Sequence, residues 1–301
     1  MLYKRKWKIH QTAGDRTFDI MVNSLAILAT IITVYPIYFV FMASLSDPSA
    51  INSGEVLLFP VNPRLTAYER IIRDSRIWTG YTNTIFFTIG SVILGTVLTV
   101  LGGYALSRKD LLGRNFFMKL LVFTMYFNGG LIPTYMVIKG LGLINTSFVL
   151  ILLGSFSCYN LIITRTFFLS KIPDEILEAA RIDGCGNGRS FFSIVLPLSK
   201  EIVSVLVLFF AVNQWNSYFN ALIYLNNQKL YPLQLVLREI LIASQMIMSD
   251  GVSSEELVQM QRLAETIKYG VIIVASVPLL LIYPFLQKFF IKGVMVGSIK
   301  G

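Results

Sequence analysis

Six windows of the chain, near 18–43, 81–106, 116–138, 147–168, 202–225 and 270–290, are mostly apolar and lack Asp, Glu, Lys and Arg in their central parts. About 20 such residues suffice to cross a bilayer core as a helix. One charge at the centre of a spanning helix costs roughly 2.5–3.5 kcal/mol, so charge-free centres are a strong signal. A helix in lipid satisfies its own backbone hydrogen bonds. The pattern therefore predicts an all-α membrane protein with six transmembrane helices, a single bundle over 18–301 behind an N-terminal tail over 1–17. The first apolar run follows Lys4, Arg5, Lys6 and Lys8. It is far longer than the roughly 7–15 residues of a signal-peptide core, so it is read as a retained span.

Composition agrees. The chain has 301 residues, 54% hydrophobic and 14% charged, against about 25% charged in an average soluble domain. The net charge of +9 comes from basic residues interleaved with spans, a layout unlike a nucleic-acid surface. With alternating sides and the N-terminus inside, the segments 1–19, 107–119, 165–201 and 288–301 carry 17 of the 26 Lys and Arg. The acidic residues split almost evenly, so the whole charge excess sits on one face. By the positive-inside rule both termini are cytoplasmic, in a multi-pass protein of the cell membrane. The loops 44–80 and 226–268 then lie outside, and the tail 291–301 inside. In the outer loops, Asp47-Pro48-Ser49 reads as a turn-like start, Pro232 leads a helical stretch, and an Asp250-Gly251 turn precedes another from Glu255.

The inner loop 170–197 carries the most informative local pattern. Ile172-Pro173-Asp174-Glu175 reads as a helix start: proline suits the first helical position, and acids complement the positive end of the helix dipole. At 100° per residue, Arg181, Asp174, Glu178 and Glu175 share one arc, and Ile176, Ala180 and Leu177 the other. Gly184, Gly186 and Gly188 then interrupt the helix, with a short second helix from Arg189 to Ile194 before Leu196-Pro197. An acidic face matches an anionic inner leaflet poorly and suits a protein groove.

Glu178-Ala179-Ala180, followed after three residues by Gly184 and after nine more by Ile194-Val195-Leu196-Pro197, resembles the coupling (EAA) loop of permease subunits of ATP-binding-cassette importers. It stands at the matching place, between the fourth and fifth spans. The chain further resembles the maltose-type carbohydrate permeases. Tyr35-Pro36, Asn83-Thr84, Leu141 to Thr146, Tyr283 to Lys288 and Lys292 to Gly297 carry that likeness, and Asn128 to Pro133 is similar to a branch associated with complex oligosaccharides. The resemblance implies a second permease chain, a different one, two ATPase subunits that bind ATP and Mg²⁺, and an extracellular solute-binding protein delivering carbohydrate. It assigns ATPase coupling to Asp174, Glu178, Ala179, Ala180, Arg181, Asp183 and Gly184. It also implies that the C-terminal tail can reach the ATPase, against the plain alternative of a frayed end.

The fifth window holds a polar stripe. Asn213, Asn216, Ser217 and Asn220 fall at i, i+3, i+4 and i+7 and share a helix face. Gln214, Trp215 and Tyr218 lie beside them in sequence. Asn213 stands about 11 residues into the core, roughly 17 Å at 1.5 Å per residue, near mid-membrane. Uncharged amides and hydroxyls with aromatic rings suit a neutral hydroxylated ligand; amides that only join helices are the alternative. Tyr126 and Asn128 in the third window are weaker pathway candidates, beside glycines that fit a broken helix. Gly95, Thr99 and Gly103 form a small-residue seam that reads as close helix packing.

Other function classes find little purchase. The sequence has no Gly-rich phosphate-binding loop, so ATP hydrolysis is expected elsewhere. Cys158 and Cys185 have neither metal nor redox spacing. His10 is the only histidine, and no nucleophile–base pair or metal cluster is evident; no cofactor is expected in the chain itself. A stand-alone ion-coupled transporter commonly needs intramembrane acids or histidines, which are missing from the span centres. An importer permease for peptide, amino acid or phosphate stays open as the alternative.

Overall fold

The computed structural model describes residues 12–249 and 267–281, and every described element is helical or a connecting turn. In chain order these are α1 (Ala13–Ser44), α2 (Pro48–Asn52), α3 (Thr66–Arg73), α4 (Ser75–Ser107), α5 (Arg114–Tyr126), α6 (Leu131–Gly140), α7 (Ser147–Gly154) and α8 (Cys158–Lys171). There follow α9 (Asp174–Ile182), α10 (Asn187–Ser190), a π-helical turn (Phe191–Val195), α11 (Leu196–Leu198), α12 (Lys200–Trp215), α13 (Phe219–Tyr224), a 3-10 turn (Gln228–Leu230) and α14 (Leu233–Ser249). The last, α15, covers Ile267–Leu281. The N-terminal basic cluster, the Asp250-Gly251 turn, the stretch from Glu255, the tail, and the motifs at 283–288 and 292–297 lie outside the described residues.

One compact unit comprises, of the described residues, 12–70 with 247–249 and 267–273. Its α1 contains a continuous 31-residue apolar span, Gly14–Ser44, with none of its most apolar window buried. Asp15 and Thr12 form a reciprocal capping box at its start, satisfying donors that the helix itself leaves free. Thr30 and Thr33 donate their hydroxyls to the carbonyls of Ala26 and Ala29 at 2.7 and 2.8 Å, so neither presents an unmet polar group to an apolar surrounding. Where the sequence reads Asp47-Pro48-Ser49 as a turn-like start, Asp47 caps α2 through the Ser49 amide, with Pro48 at the first helical position.

The second unit comprises, of the described residues, 71–246 with 274–281. Its axis is α4, which packs against α7, α8 and α12. The predicted seam is there: Gly95, Thr99 and Gly103 are all buried, and Ser91, one turn earlier, extends it. Gly103 lies against Thr164 of α8, and Gly95 against Phe210 of α12 and the Ser155 carbonyl. Two apolar cores flank this axis. One gathers Phe87, Val149, Leu150, Tyr224 and Leu235; the other gathers Val100, Phe168, Phe191, Leu206 and Phe210.

The main departure from sequence expectation is continuity. Only α1 and α4 are single unbroken spans among the described residues. The window at 116–138 is α5 and α6, bent by 115°. Gly130, at φ +81°, opens α6 there, a backbone conformation that glycine adopts without steric cost. The window at 147–168 is α7 and α8, bent by 45°, and the helix entering α12 bends by 79° after Leu198. The apolar period cannot register these bends, because both arms of each pair are apolar.

Candidate functional site

Two regions gather the residues singled out in the sequence. The first surrounds α9. Pro173 is the N-cap of this helix rather than its first residue, and Asp174 and Glu175 occupy the first turn. Ala180 is buried, and Leu177 packs on the core built from Phe168, Ile172 and Phe191. The helix ends in a Schellman motif. The Cys185 amide donates to the Ala180 carbonyl at 2.8 Å and the Gly184 amide to Arg181 at 3.0 Å. Gly184 takes φ +74° at the position after the cap, which is why glycine stands there. The second helix differs from the predicted Arg189–Ile194: it runs from Asn187 to Leu198 through a π-helical turn at Phe191–Val195.

Sequence reading missed the partner of α9. The short segment after α4, Arg108-Lys109-Asp110, clamps it. Lys109 pairs with Asp174. Asp110 accepts from Arg108 at 2.7 Å and from Arg181 at 2.6 Å, while the Arg108 guanidinium lies over the Tyr104 ring, 5.9 Å from its centroid. The bonds from Arg108 hold the Asp110 carboxyl down at about 2, with Arg181 adding to the effect. Asp174 raises the Lys109 pKa. A groove of about 500 Å³ runs between this segment and α9. Two of the predicted coupling charges, Asp174 and Arg181, are thus engaged within the chain. Glu178, Ala179, Asp183 and Gly184 remain exposed, as does Ile182, 87% of whose surface is open.

The second region is the polar stripe. The predicted continuous helix over 202–225 does not form: α12 ends at Trp215, Asn216 is its cap, and α13 begins at Phe219. The break still leaves Asn213, Asn216, Ser217, Tyr218 and Asn220 lining one hollow of about 390 Å³. An adjoining hollow of about 460 Å³ shares Asn213 and adds Ser157 and Asn160. Among the described residues none of the side chains at 213, 216, 217 and 220 hydrogen-bonds another helix; Asn216 donates to the Val212 carbonyl of its own helix at 2.9 Å.

Other predicted members lie elsewhere. Gln214 and Trp215 are 6% and 5% exposed and turn into the packed interior. Gln214 sits against Gly154 and Ser91's neighbourhood on α7 and α4. The Trp215 ring packs on Tyr81, and its indole donates to the Ala275 carbonyl at 3.1 Å. Adjacency in sequence placed them with the stripe, whereas a helix turns neighbours by 100°. Tyr126, 74% exposed, and Asn128, whose carbonyl accepts from the Gly130 amide at 3.0 Å, stand at the α5–α6 elbow and line neither hollow.

The motif residues Asn83, Thr84 and Asn145 hold the segment 226–233 in place. Asn83 donates to the Lys229 and Tyr231 carbonyls at 2.8 and 3.0 Å, and Thr84 accepts the first amide of α14, from Leu233, at 2.8 Å. Asn145, in the left-handed region at φ +60°, accepts from the Asn226 and Asn227 amides at 3.1 and 2.9 Å. No group of His, Cys, Asp and Glu able to hold a metal occurs among the described residues.

Comparison with known proteins adds the following. Residues 75–296 match the model of a family described as binding-protein-dependent transport system inner membrane component. The chain is 40% identical over 287 residues to the polygalacturonan/rhamnogalacturonan transport system permease protein YtcP of Bacillus subtilis, covering 95% of this chain and 99% of the relative. It is 36% identical to Protein LplC of the same organism, covering 97% and 98%. A chain in the crystal structure of a bacterial ABC transporter involved in the import of the acidic polysaccharide alginate superposes with TM-score 0.82 at 31% identity, covering 94% of this chain and all of that one.

Proposed function

The chain belongs to the family of binding-protein-dependent transport system inner membrane components, and from that premise we propose that it is one pore-forming subunit of an ATP-driven importer whose cargo is an oligosaccharide. The relatives named above support the carbohydrate cargo. In this reading the chain crosses the bacterial cell membrane six times with both termini inside. The bent pairs α5–α6 and α7–α8 each serve as one span. A second, different permease chain completes the pore, and a solute-binding protein delivers the sugar. ATP and Mg²⁺ are held by two separate ATPase subunits.

One observation carries the coupling assignment: α9 presents Glu178, Ala179, Ile182 and Asp183 outward while Ala180 is buried, Leu177 packs on the core and its flank is tied to the end of α4. A helix so anchored transmits a push on its outer face to the long span behind it. Closure of the ATPase pair then biases an inward–outward equilibrium, which only a partner that binds the two states unequally can shift. The hollow lined by Asn213, Asn216 and Asn220 supplies acceptors and donors for sugar hydroxyls, and Tyr218 an apolar face.

The test is the complete complex in proteoliposomes carrying Glu178→Ala. Expected are a loss of sugar uptake and of sugar-stimulated ATP hydrolysis, with the subunit still inserted in the membrane. Normal uptake by the variant refutes the coupling role.

A further inference from the structure

The polar hollow has a cation at its edge that the sequence does not associate with it. Residues 202–225 contain no charged side chain. Arg238, thirteen residues beyond that window and on α14, lies with its guanidinium carbon 5.4 Å from the centroid of the Tyr218 ring. That ring also lines the hollow with Asn213, Asn216 and Asn220. Among the described residues Arg238 forms no ion pair, and the carboxylate next to it in sequence, Glu239, interacts instead with Arg76. Arg238 is only partly exposed. The start of its helix is fixed: the Leu233 amide donates to Thr84, and the Leu233 backbone lies against Gly80.

A guanidinium stacked on an aromatic face keeps its N–H edge free. That edge is a planar fork matched to a carboxylate, which an ammonium cannot reproduce. The attraction between the cation and the ring face favours this placement of the side chain beside the hollow. We propose that Arg238, held on Tyr218, is the carboxylate-recognition group of the hollow and makes acidic, uronate-containing oligosaccharides its preferred cargo. This rests on the carbohydrate reading above and goes beyond it by assigning cargo charge to one residue. In the proposed arrangement the asparagines meet the sugar hydroxyls while the pendant carboxylate meets Arg238 at the rim.

The experiment compares wild type, Arg238→Gln and Arg238→Lys in the reconstituted complex with its binding protein. Uptake of trigalacturonate and of galactotriose is followed, with basal ATP hydrolysis as the control for assembly. Expected is a fall of about tenfold or more in trigalacturonate uptake for the Gln variant, the scale of one lost charge-assisted hydrogen bond. The Lys variant recovers part of it, because it keeps the charge but not the fork. Galactotriose uptake and basal hydrolysis stay unchanged. The proposal is overturned if Arg238→Gln leaves trigalacturonate uptake intact, if it lowers both sugars equally, or if wild type carries galactotriose alone. A wild-type complex that carries neither of these nor any other oligosaccharide overturns the carbohydrate reading itself, and this proposal with it.

Discussion

Replacing Gly95 by alanine tests whether α4 and α12 meet as closely as the structure has them. An ideal Cβ at 95 stands 2.9 Å from Cε1 and 3.0 Å from Cδ1 of Phe210, and 2.9 Å from the Ser155 carbonyl oxygen. Phe210 is 2% exposed and cannot swing away, and the carbonyl is backbone. Overfilling such a contact costs about 1–3 kcal/mol. Alanine in a helix recovers up to about 1 kcal/mol through propensity, so the net loss is about 0–2 kcal/mol. Gly140→Ala is the matched control: it also lies in a helix, has no positive φ, and its added Cβ meets nothing within 4 Å. Gly140 is the last residue of α6, so its propensity gain is smaller than at Gly95 and cancels only part of it, leaving most of the clash. The assay is a thermal scan of the detergent-solubilised complex at one fixed rate, since unfolding of such assemblies is commonly irreversible. At about 2–4 °C per kcal/mol, Gly95→Ala should melt at least about 2 °C below Gly140→Ala. Phe210 lies one helical turn before Asn213, so the same variant should also lower uptake. A Gly95→Ala protein as stable as the control refutes the α4–α12 contact and the placement of the hollow that depends on it.

The Asp110 clamp is exposed, so each of its ion pairs contributes only about 0.2–1 kcal/mol before further screening by salt. Asp110→Asn should therefore lower the sugar moved per ATP hydrolysed while shifting the thermal midpoint by less than about 2 °C; an unaltered transport ratio would show that the clamp transmits nothing. Because its folded pKa is lowered from 3.8 to about 2, the Asp110 contribution is present in full above about pH 4 and is lost as pH falls through 2. The difference in thermal midpoint between wild type and Asp110→Asn should therefore be the same at about pH 5 and about pH 8, and a difference that collapses within that window contradicts the assignment. In a background without Cys158 and Cys185, a membrane-impermeant maleimide should label Ser53→Cys from outside intact cells and Gly188→Cys only after the inner face is opened. The reverse pattern overturns the orientation.

The sequence by itself determined that this is a helical membrane protein, because charge-free apolar length is a local property and lipid leaves the backbone few alternatives. It also determined α9, whose acidic start, apolar arc and Gly184 terminator all lie within a dozen residues. The α4 seam was legible for the same reason, through small residues at helical spacing. Tertiary structure alone decided the rest. Apolar runs look alike whether straight or bent, so the 79° elbow leaves no trace in the hydrophobic period, and the 115° elbow shows in the sequence only through Gly129 and Gly130. Helical spacing sets Gln214 off the face of Asn213, but which of the two faces meets the interior and which lines the hollow is decided by packing alone. The partners of α9 lie more than sixty positions away, in Lys109 and Asp110, and the cation on Tyr218 comes from a different helix. Charge pairing depends on distance in space, and only the packing of α4, α8, α12 and α14 fixes which distances are short.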